Sequence, residues 1–231
     1  MNQYPASSYD YKVESQDRYA AKTFAWMFVG LLTTFVTAVF TLYSGTIYYT
    51  ASGFMPFILA LAEVGVVIYL SARLQKLSIG SARALFFVYA VLNGLTMSSL
   101  LVIYSLGSLI YVFGMTSLYF GVMALYGWFT HSDLSGLRPV LVGGLIVLLV
   151  ISVLSMLLGF SGSSRLMCIA GVALFIGFTA YDTQKIRAYY NYFYSDPEML
   201  EKASVISALQ LYLDYINLFL YLLRLFGKRR N

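Results

Sequence analysis

Two stretches near the C-terminal end of the sequence decide the fold. The first is Gly177-Phe178-Thr179-Ala180-Tyr181-Asp182-Thr183-Gln184-Lys185-Ile186, and the second is Leu211-Tyr212-Leu213-Asp214-Tyr215-Ile216-Asn217-Leu218-Phe219. Each places an aspartate inside an otherwise apolar run. A charged aspartate near the centre of a bilayer helix costs about 2.5–3.5 kcal/mol on insertion scales, so such residues are rare and face the protein interior. If the two runs form neighbouring antiparallel helices, Asp182 and Asp214 can meet.

The composition is that of an integral membrane protein. Apolar residues make up 60% of the chain, charged residues only 11%, and the mean hydropathy is +0.75, well outside the range of soluble globular proteins. A length of 231 residues accommodates six or seven helices of about 20 residues with short loops, but no separate soluble domain. The single cysteine, Cys168, excludes a disulfide framework. We expect no cleavable signal peptide, because the first 23 residues are polar.

The pattern predicts an all-α membrane protein with seven transmembrane helices, because the apolar runs are unbroken and lack the alternation of barrel strands. We expect a polar N-terminal tail over residues 1–23, one transmembrane domain over 24–226 and a basic tail over 227–231. The last helix is expected to be central, because a helix exposed to lipid would leave Asp214 without shelter. The predicted spans are Phe24–Tyr43, Phe54–Leu74, a hairpin of two helices between residues 84 and 132 that turns at Ser105–Ser108, Pro139–Phe160, Leu166–Ile186 and Ala203–Phe226.

Lysine and arginine residues predict the orientation. The N-terminal tail and the loops on its side hold ten of them, against one, Arg165, in the opposite loops, so the N-terminus is expected to be cytoplasmic. The basic C-terminal tail departs from this pattern if there are seven spans; the alternative is that one apolar segment is re-entrant. The net charge of +5 therefore reflects membrane orientation and not nucleic-acid binding. The ten residues are Lys12, Arg18, Lys22, Arg73, Lys76, Arg83, Arg138, Lys185, Arg187 and Lys202.

The last span carries a polar stripe, because Gln210, Asp214 and Asn217 have the spacing i, i+4 and i+7. Such a stripe lines a cavity or binds a partner group; the alternative is a hydrogen-bonded network that only fixes helix packing. Two carboxylates close together in a low dielectric disfavour double ionisation, so one proton is held between them and the pair senses pH. Glu63 in the middle of the second span has no route to the headgroups, which favours a cavity-facing role.

No pattern of an enzyme is present. His131 lies at a span end and is expected to be a loop residue, and there is no zinc-type His/Cys spacing, phosphate loop or H-E-x-x-H. Intramembrane aspartyl proteases also use two membrane aspartates, but Asp214 lacks their Gly-x-Gly-Asp pattern. We therefore predict that the protein is not an enzyme and holds no tightly bound cofactor.

The two aspartate motifs resemble the signature of the Bax inhibitor-1 family, and two upstream motifs strengthen the resemblance. It implies a bacterial pH-sensitive calcium leak, with Asp182 and Asp214 as the pH sensor and Arg73 as a latch that pairs with Asp182. Glu63, Asp182, Asp214 and Asn217 would offer oxygen atoms along the ion pathway, and the two aspartates would bind calcium transiently. The matching motifs are Asn93-Gly94-Leu95-Thr96, Tyr126-Gly127-Trp128-Phe129-Thr130-His131-Ser132-Asp133-Leu134, Tyr181-Asp182-Thr183-Gln184 and Leu213-Asp214-Tyr215-Ile216-Asn217-Leu218-Phe219.

Two other functions stay open at this point. One is a membrane-embedded regulator that binds other membrane proteins, such as a membrane protease or a stress factor, through its polar N-terminal tail. The other is a proton-coupled transporter, for which no internal repeat is visible. In either case the compact chain with short termini favours the plasma (inner) membrane of a bacterium, and the bilayer is the expected partner.

Overall fold

The computed structural model describes residues 14–157 and 165–230, and within these ranges the protein is helical, with no strand. Seven helices are long and apolar enough to cross a membrane, which confirms the predicted all-α membrane fold. We number these helices α1 to α7. Their bounds are Gln16–Tyr43, Met55–Arg73, Ile79–Met97, Leu106–Phe129, Arg138–Leu157, Arg165–Phe193 and Pro197–Phe226.

Short elements connect some of the long helices. Between α1 and α2, a single helical turn, Ile47–Thr50, lies between Gly45 and Gly53, whose φ angles of 74° and 57° are left-handed. Glycine adopts this conformation without the steric cost of a Cβ, so the chain can reverse here. The turn Leu100–Ile103 precedes α4, which begins at Leu106 because the Ser105 carbonyl already accepts the Leu109 amide (3.0 Å). The chain therefore turns earlier than the predicted Ser105–Ser108.

Four helix ends extend well beyond the predicted spans. Helix α1 begins at Gln16 instead of Phe24, α3 at Ile79 instead of residue 84, and α7 at Pro197 instead of Ala203, while α6 continues from Ile186 to Phe193. Polar capping residues cause the difference at the starts of α1 and α7, because hydropathy follows only the apolar part of a helix. Ser15 Oγ accepts a hydrogen bond from the Arg18 amide (3.4 Å), and Asp196 Oδ1 accepts one from the Met199 amide (3.0 Å).

Part of the predicted organisation falls outside the described residues. This applies to residues 1–13 of the polar N-terminal tail, to the end of the predicted span Pro139–Phe160, and to Asn231.

Helix α7 is the centre of the bundle, as predicted. In its most apolar stretch 67% of the residues are buried, compared with 11% in α2 and in α5. It packs against α6, α1, α4 and α3. Its tyrosines lie among aromatic rings, with Phe86 and Tyr89 edge-on to Tyr212, and Phe113 and Phe120 edge-on to Tyr215.

The first and the last described residues lie at opposite ends of the bundle. At the end that holds the start of α1, here called the N-terminal end, Tyr190 of α6 donates a hydrogen bond to the Glu14 carbonyl (2.6 Å). At the other end, residues after α7 pair with the connection before α4: the Ser105 amide bonds to the Lys228 carbonyl (3.1 Å) and the Arg230 amide to the Ile103 carbonyl (2.9 Å). This arrangement requires an odd number of spans and favours seven over the re-entrant alternative.

Candidate functional site

The two aspartates meet in the interior, between α6 and α7. Asp182 is 8% exposed and Asp214 is 4% exposed, and their carboxyl groups lie side by side. Carboxylates are acceptors only, so a hydrogen bond between two of them requires a proton on one. Two carboxyl groups placed in this way can share a proton. Asp214 Oδ2 is buried and accepts no hydrogen bond from an N–H group or hydroxyl of the described residues.

Lys185 is the cation beside this pair. Its ammonium lies 3.8 Å from Asp182 Oδ1 and donates a hydrogen bond to Gln210 Oε1 of α7 (3.3 Å). It also lies 5.1 Å from the ring centre of Tyr189 and 5.8 Å from that of Tyr181. From the sequence, Lys185 counted only toward membrane orientation. Its i, i+3 spacing from Asp182 was the signal for a contact within one helix face.

Arg73 lies apart from the pair in this structure. It is exposed in the last turn of α2, and the ion pair found for Asp182 among residues 14–157 and 165–230 is with Lys185. The proposed latch between Arg73 and Asp182 is thus not formed among the described residues, and it stays a prediction.

Glu63 of α2 belongs to a second polar network, which reaches α7 at Tyr212, on a different face of that helix from Asp214. It accepts hydrogen bonds from Thr96 Oγ1 (2.6 Å) and Asn93 Nδ2 (3.4 Å). Asn93 Oδ1 accepts from the Tyr212 hydroxyl (3.0 Å), which lies 2.6 Å from Thr34 Oγ1. Because Tyr212 and Asp214 are two residues apart, their side chains point about 160° apart, to nearly opposite sides of the helix axis. The structure therefore does not bring Glu63 to the aspartates.

The three residues of the polar stripe on α7 do not share one set of contacts. Gln210 faces Lys185, whereas Asn217 donates a hydrogen bond to the Leu213 carbonyl of its own helix (2.8 Å). Within the described part of the chain, no three His, Cys, Asp or Glu side chains converge on a point where a metal ion could be held. The Asp182–Asp214 pair can thus offer carboxylate oxygens to a passing cation, but the described residues form no closed cage around it.

The residues around the pair hold α6 against the end of α4. Gly127 packs on α6 so closely that a Cβ there would lie 2.2 Å from the Ala180 carbonyl oxygen. Gln184 of α6 makes two hydrogen bonds to the loop after α4. Its Nε2 donates to the Ser132 carbonyl (2.8 Å), and its Oε1 accepts from the Leu134 amide (2.8 Å). Thus the motif around Gly127 and the Asp-Thr-Gln motif form one interface, which positions Asp182.

The polar residues of that loop serve its own turn. His131 is exposed, as expected for a loop residue. Asp133 accepts hydrogen bonds from the backbone amide and the hydroxyl of Ser135, both at 2.8 Å, and these bonds lower the pKa of Asp133 from its ordinary value. Asp133 therefore stabilises the turn that leads into α5.

Comparison with known proteins assigns the family. A family model described as inhibitor of apoptosis-promoting Bax1 matches residues 16–231. The chain belongs to the Bax inhibitor-1 family. It is 40% identical over 215 residues to the inner membrane protein YbhL of Escherichia coli strain K12, covering 92% of each chain. It is 39% identical over 220 residues to an uncharacterized protein of Borreliella burgdorferi, covering 94% of each.

A more distant relative shares the membrane character of this Bax inhibitor-1 family protein. An uncharacterized membrane protein of Streptococcus pyogenes serotype M3 is 31% identical over 163 residues, or 71% of this chain and 70% of the relative. With seven helices that can span a bilayer, the protein is an integral membrane protein in contact with lipid.

Proposed function

We propose that this protein is a pH-sensitive calcium leak channel of the bacterial plasma (inner) membrane. The observation that carries the proposal is the buried, adjacent pair of Asp182 and Asp214, with the Lys185 ammonium 3.8 Å from one of them. Ionisable groups at membrane depth are costly to bury and mark ion or proton pathways. The proposal includes no enzymatic activity and no tightly bound cofactor.

The pair acts as a weak cation site. Calcium prefers several oxygen ligands at once, and Asp182 and Asp214 supply carboxylate oxygens, with water completing the shell. A leak requires ions to leave as readily as they enter, so two carboxylates suit conduction better than a closed cage. Glu63 and Asn217 extend the proposed pathway. Because the network of Glu63 meets α7 on a different face from Asp214, an ion would contact Glu63 before or after the aspartate pair and not at the same time.

The same pair sets the response to pH. When the aspartates are ionised, they attract basic groups at the N-terminal end, Lys185 in this structure and Arg73 in the proposed latch, and the pathway is closed. Protonation removes that attraction and releases the basic groups. It also weakens the attraction for calcium, so the leak should pass through an optimum as pH falls instead of rising continuously.

The test is calcium entry into proteoliposomes across a pH series for the wild type, Arg73→Ala and Asp182→Asn. We expect a wild-type leak with a maximum in mild acid. Arg73→Ala should raise the leak in alkali, and Asp182→Asn should resemble the released state because it removes the charge that holds the latch. Empty liposomes and the exposed variant Lys76→Ala are the controls.

Two outcomes would contradict parts of this proposal. A wild-type leak that does not change with pH would eliminate the pH sensor, and an Arg73→Ala protein as tight as wild type in alkali would eliminate the arginine latch. A folded protein that passes no calcium at any pH would favour the alternative of a membrane-embedded regulator that binds stress factors or proteases.

A further inference from the structure

We propose that Lys185 is a tethered cation that fills the entrance to the Asp182–Asp214 pair from the N-terminal end and competes with the permeating cation. This inference rests on the proposed leak function and names a means of its regulation. It concerns a residue of α6 that stays in place through its own contacts, whether or not Arg73 forms a latch.

The position of Lys185 is that of a plug. Along α6 it lies three residues closer to the N-terminal end than Asp182, and along α7 Gln210 lies four residues closer than Asp214. At a rise of about 1.5 Å per residue, both side chains lie roughly one helical turn from the pair. Their 3.3 Å hydrogen bond joins the two helices across the route to the aspartates.

The solvent exposure of the side chains also decreases from Lys185 to Asp182. The Lys185 side chain is 23% exposed, whereas that of Asp182 is 9% exposed. The ammonium therefore lies between the buried pair and the solvent at the N-terminal end, as a group that closes an entrance would.

The contacts of Lys185 form a cation site already filled by the protein. Asp182 Oδ1 and Gln210 Oε1 are oxygen ligands, and the rings of Tyr181 and Tyr189 add the aromatic faces that attract an ammonium group. Carboxylate and amide oxygens are also the ligands that calcium prefers. A calcium ion that binds here has to displace the ammonium, and the flexible four-carbon stem of lysine permits this without any movement of a helix.

Neighbouring basic groups are engaged elsewhere. Arg187 donates to the Thr130 carbonyl (2.9 Å) and lies over the Trp128 ring, and Lys22 and Arg83 both pair with Glu201. Within residues 14–157 and 165–230, Lys185 is thus the cation positioned to compete for Asp182.

The experiment compares full-length wild type with Lys185→Gln, Lys185→Arg and Lys76→Gln. The glutamine removes the charge but can still bond to Gln210, the arginine keeps the charge, and Lys76→Gln removes an exposed charge at the same end as a matched control. Binding of radioactive calcium is measured at fixed pH on protein in detergent, and calcium leak on the same proteins in liposomes. Thermal unfolding of each variant shows that the fold is retained.

We expect Lys185→Gln to bind calcium at least about fivefold more tightly, as expected for the loss of a coupled competing ligand, and to leak faster. Lys185→Arg and Lys76→Gln should remain close to wild type. The proposal that Lys185 competes with calcium is wrong if Lys185→Gln binds calcium no more tightly than wild type. It is also wrong if Lys76→Gln gains as much calcium affinity as Lys185→Gln. Either result counts against it even when the wild-type leak is intact. If Lys185→Gln binds more tightly but no protein leaks, the competition stands and the leak function fails.

Discussion

At the scale of single residues, Asp214 is an acid enclosed by the protein at membrane depth. It is 4% exposed and lies beside a second buried acid, Asp182. Ionisable groups at this depth are costly to bury, so uncharged side chains would fix helix packing at a lower cost. The cost is understandable if the carboxylate serves a passing ion.

This argument predicts that Asp214→Asn folds but conducts less. Asparagine keeps the size of the side chain and can hydrogen-bond to Asp182, but it removes a charge that attracts cations. We expect the leak to fall about tenfold, which corresponds to about 1.4 kcal/mol of lost attraction. The measurement is calcium entry into proteoliposomes, with the exposed Asp17→Asn as the control for a lost carboxylate. Equal leaks in Asp214→Asn and wild type would show that the pair only fixes packing.

At the scale of helices, close approach between α4 and α6 fixes the depth and rotation of Asp182. Gly127 makes this approach possible, because the Ala180 carbonyl oxygen, carbonyl carbon and Cα would lie within 3.0 Å of an added Cβ. These are backbone atoms, so they cannot rotate away. At Gly121 of the same helix, no atom of the described residues would lie within 4 Å of an added Cβ, so this position is free of the constraint.

The two glycines give a matched pair of variants. Gly127→Ala should lower the free energy of unfolding by about 1–3 kcal/mol, the usual cost of overpacking, and shift α6 away from α4. Gly121→Ala should be neutral or slightly stabilising, since alanine is the better helix former. Thermal unfolding in detergent measures both. Equal unfolding temperatures would mean that the interface of the two motifs is looser than the structure shows.

At the scale of the whole molecule, the distribution of charge predicts how the bundle lies in the membrane. The basic residues Arg73, Lys76 and Lys202 lie at the N-terminal end, where the Lys202 ammonium reaches the Gln75 carbonyl (3.5 Å). Loops rich in lysine and arginine stay in the cytoplasm, so the N-terminal end and the entrance beside Lys185 should face inward. The C-terminal residues, which pair with the α3–α4 connection, should face outward despite their charge.

Cysteine labelling of intact cells tests this orientation. With the buried Cys168 replaced by alanine, a cysteine at Lys76 should react only after the cells are permeabilised. A cysteine at Arg230 should react from outside and serves as the opposite control. Labelling of the Lys76 position from outside would reverse the topology and with it the direction from which Lys185 closes the pathway.

The sequence by itself determined the number of helices, the family and the two central aspartates. Apolar runs, capping residues and motifs are local properties of the chain, and Asp214 in an apolar run already required a sheltered last helix. Even the extended starts of α1 and α7 had visible signals in Ser15 and Asp196-Pro197, which hydropathy does not measure.

Only the tertiary structure decided which polar groups meet. Glu63, Asp214 and Asn217 all lie in apolar runs, yet Glu63 joins Asn93 while Asn217 bonds to its own helix. These contacts depend on the rotation of each helix about its axis and on which neighbour it faces. Such rotations are set by packing, as at Gly127 against Ala180, and not by the hydropathy of any one segment. For the same reason Lys185, a loop charge by sequence pattern, proves to be the cation beside Asp182.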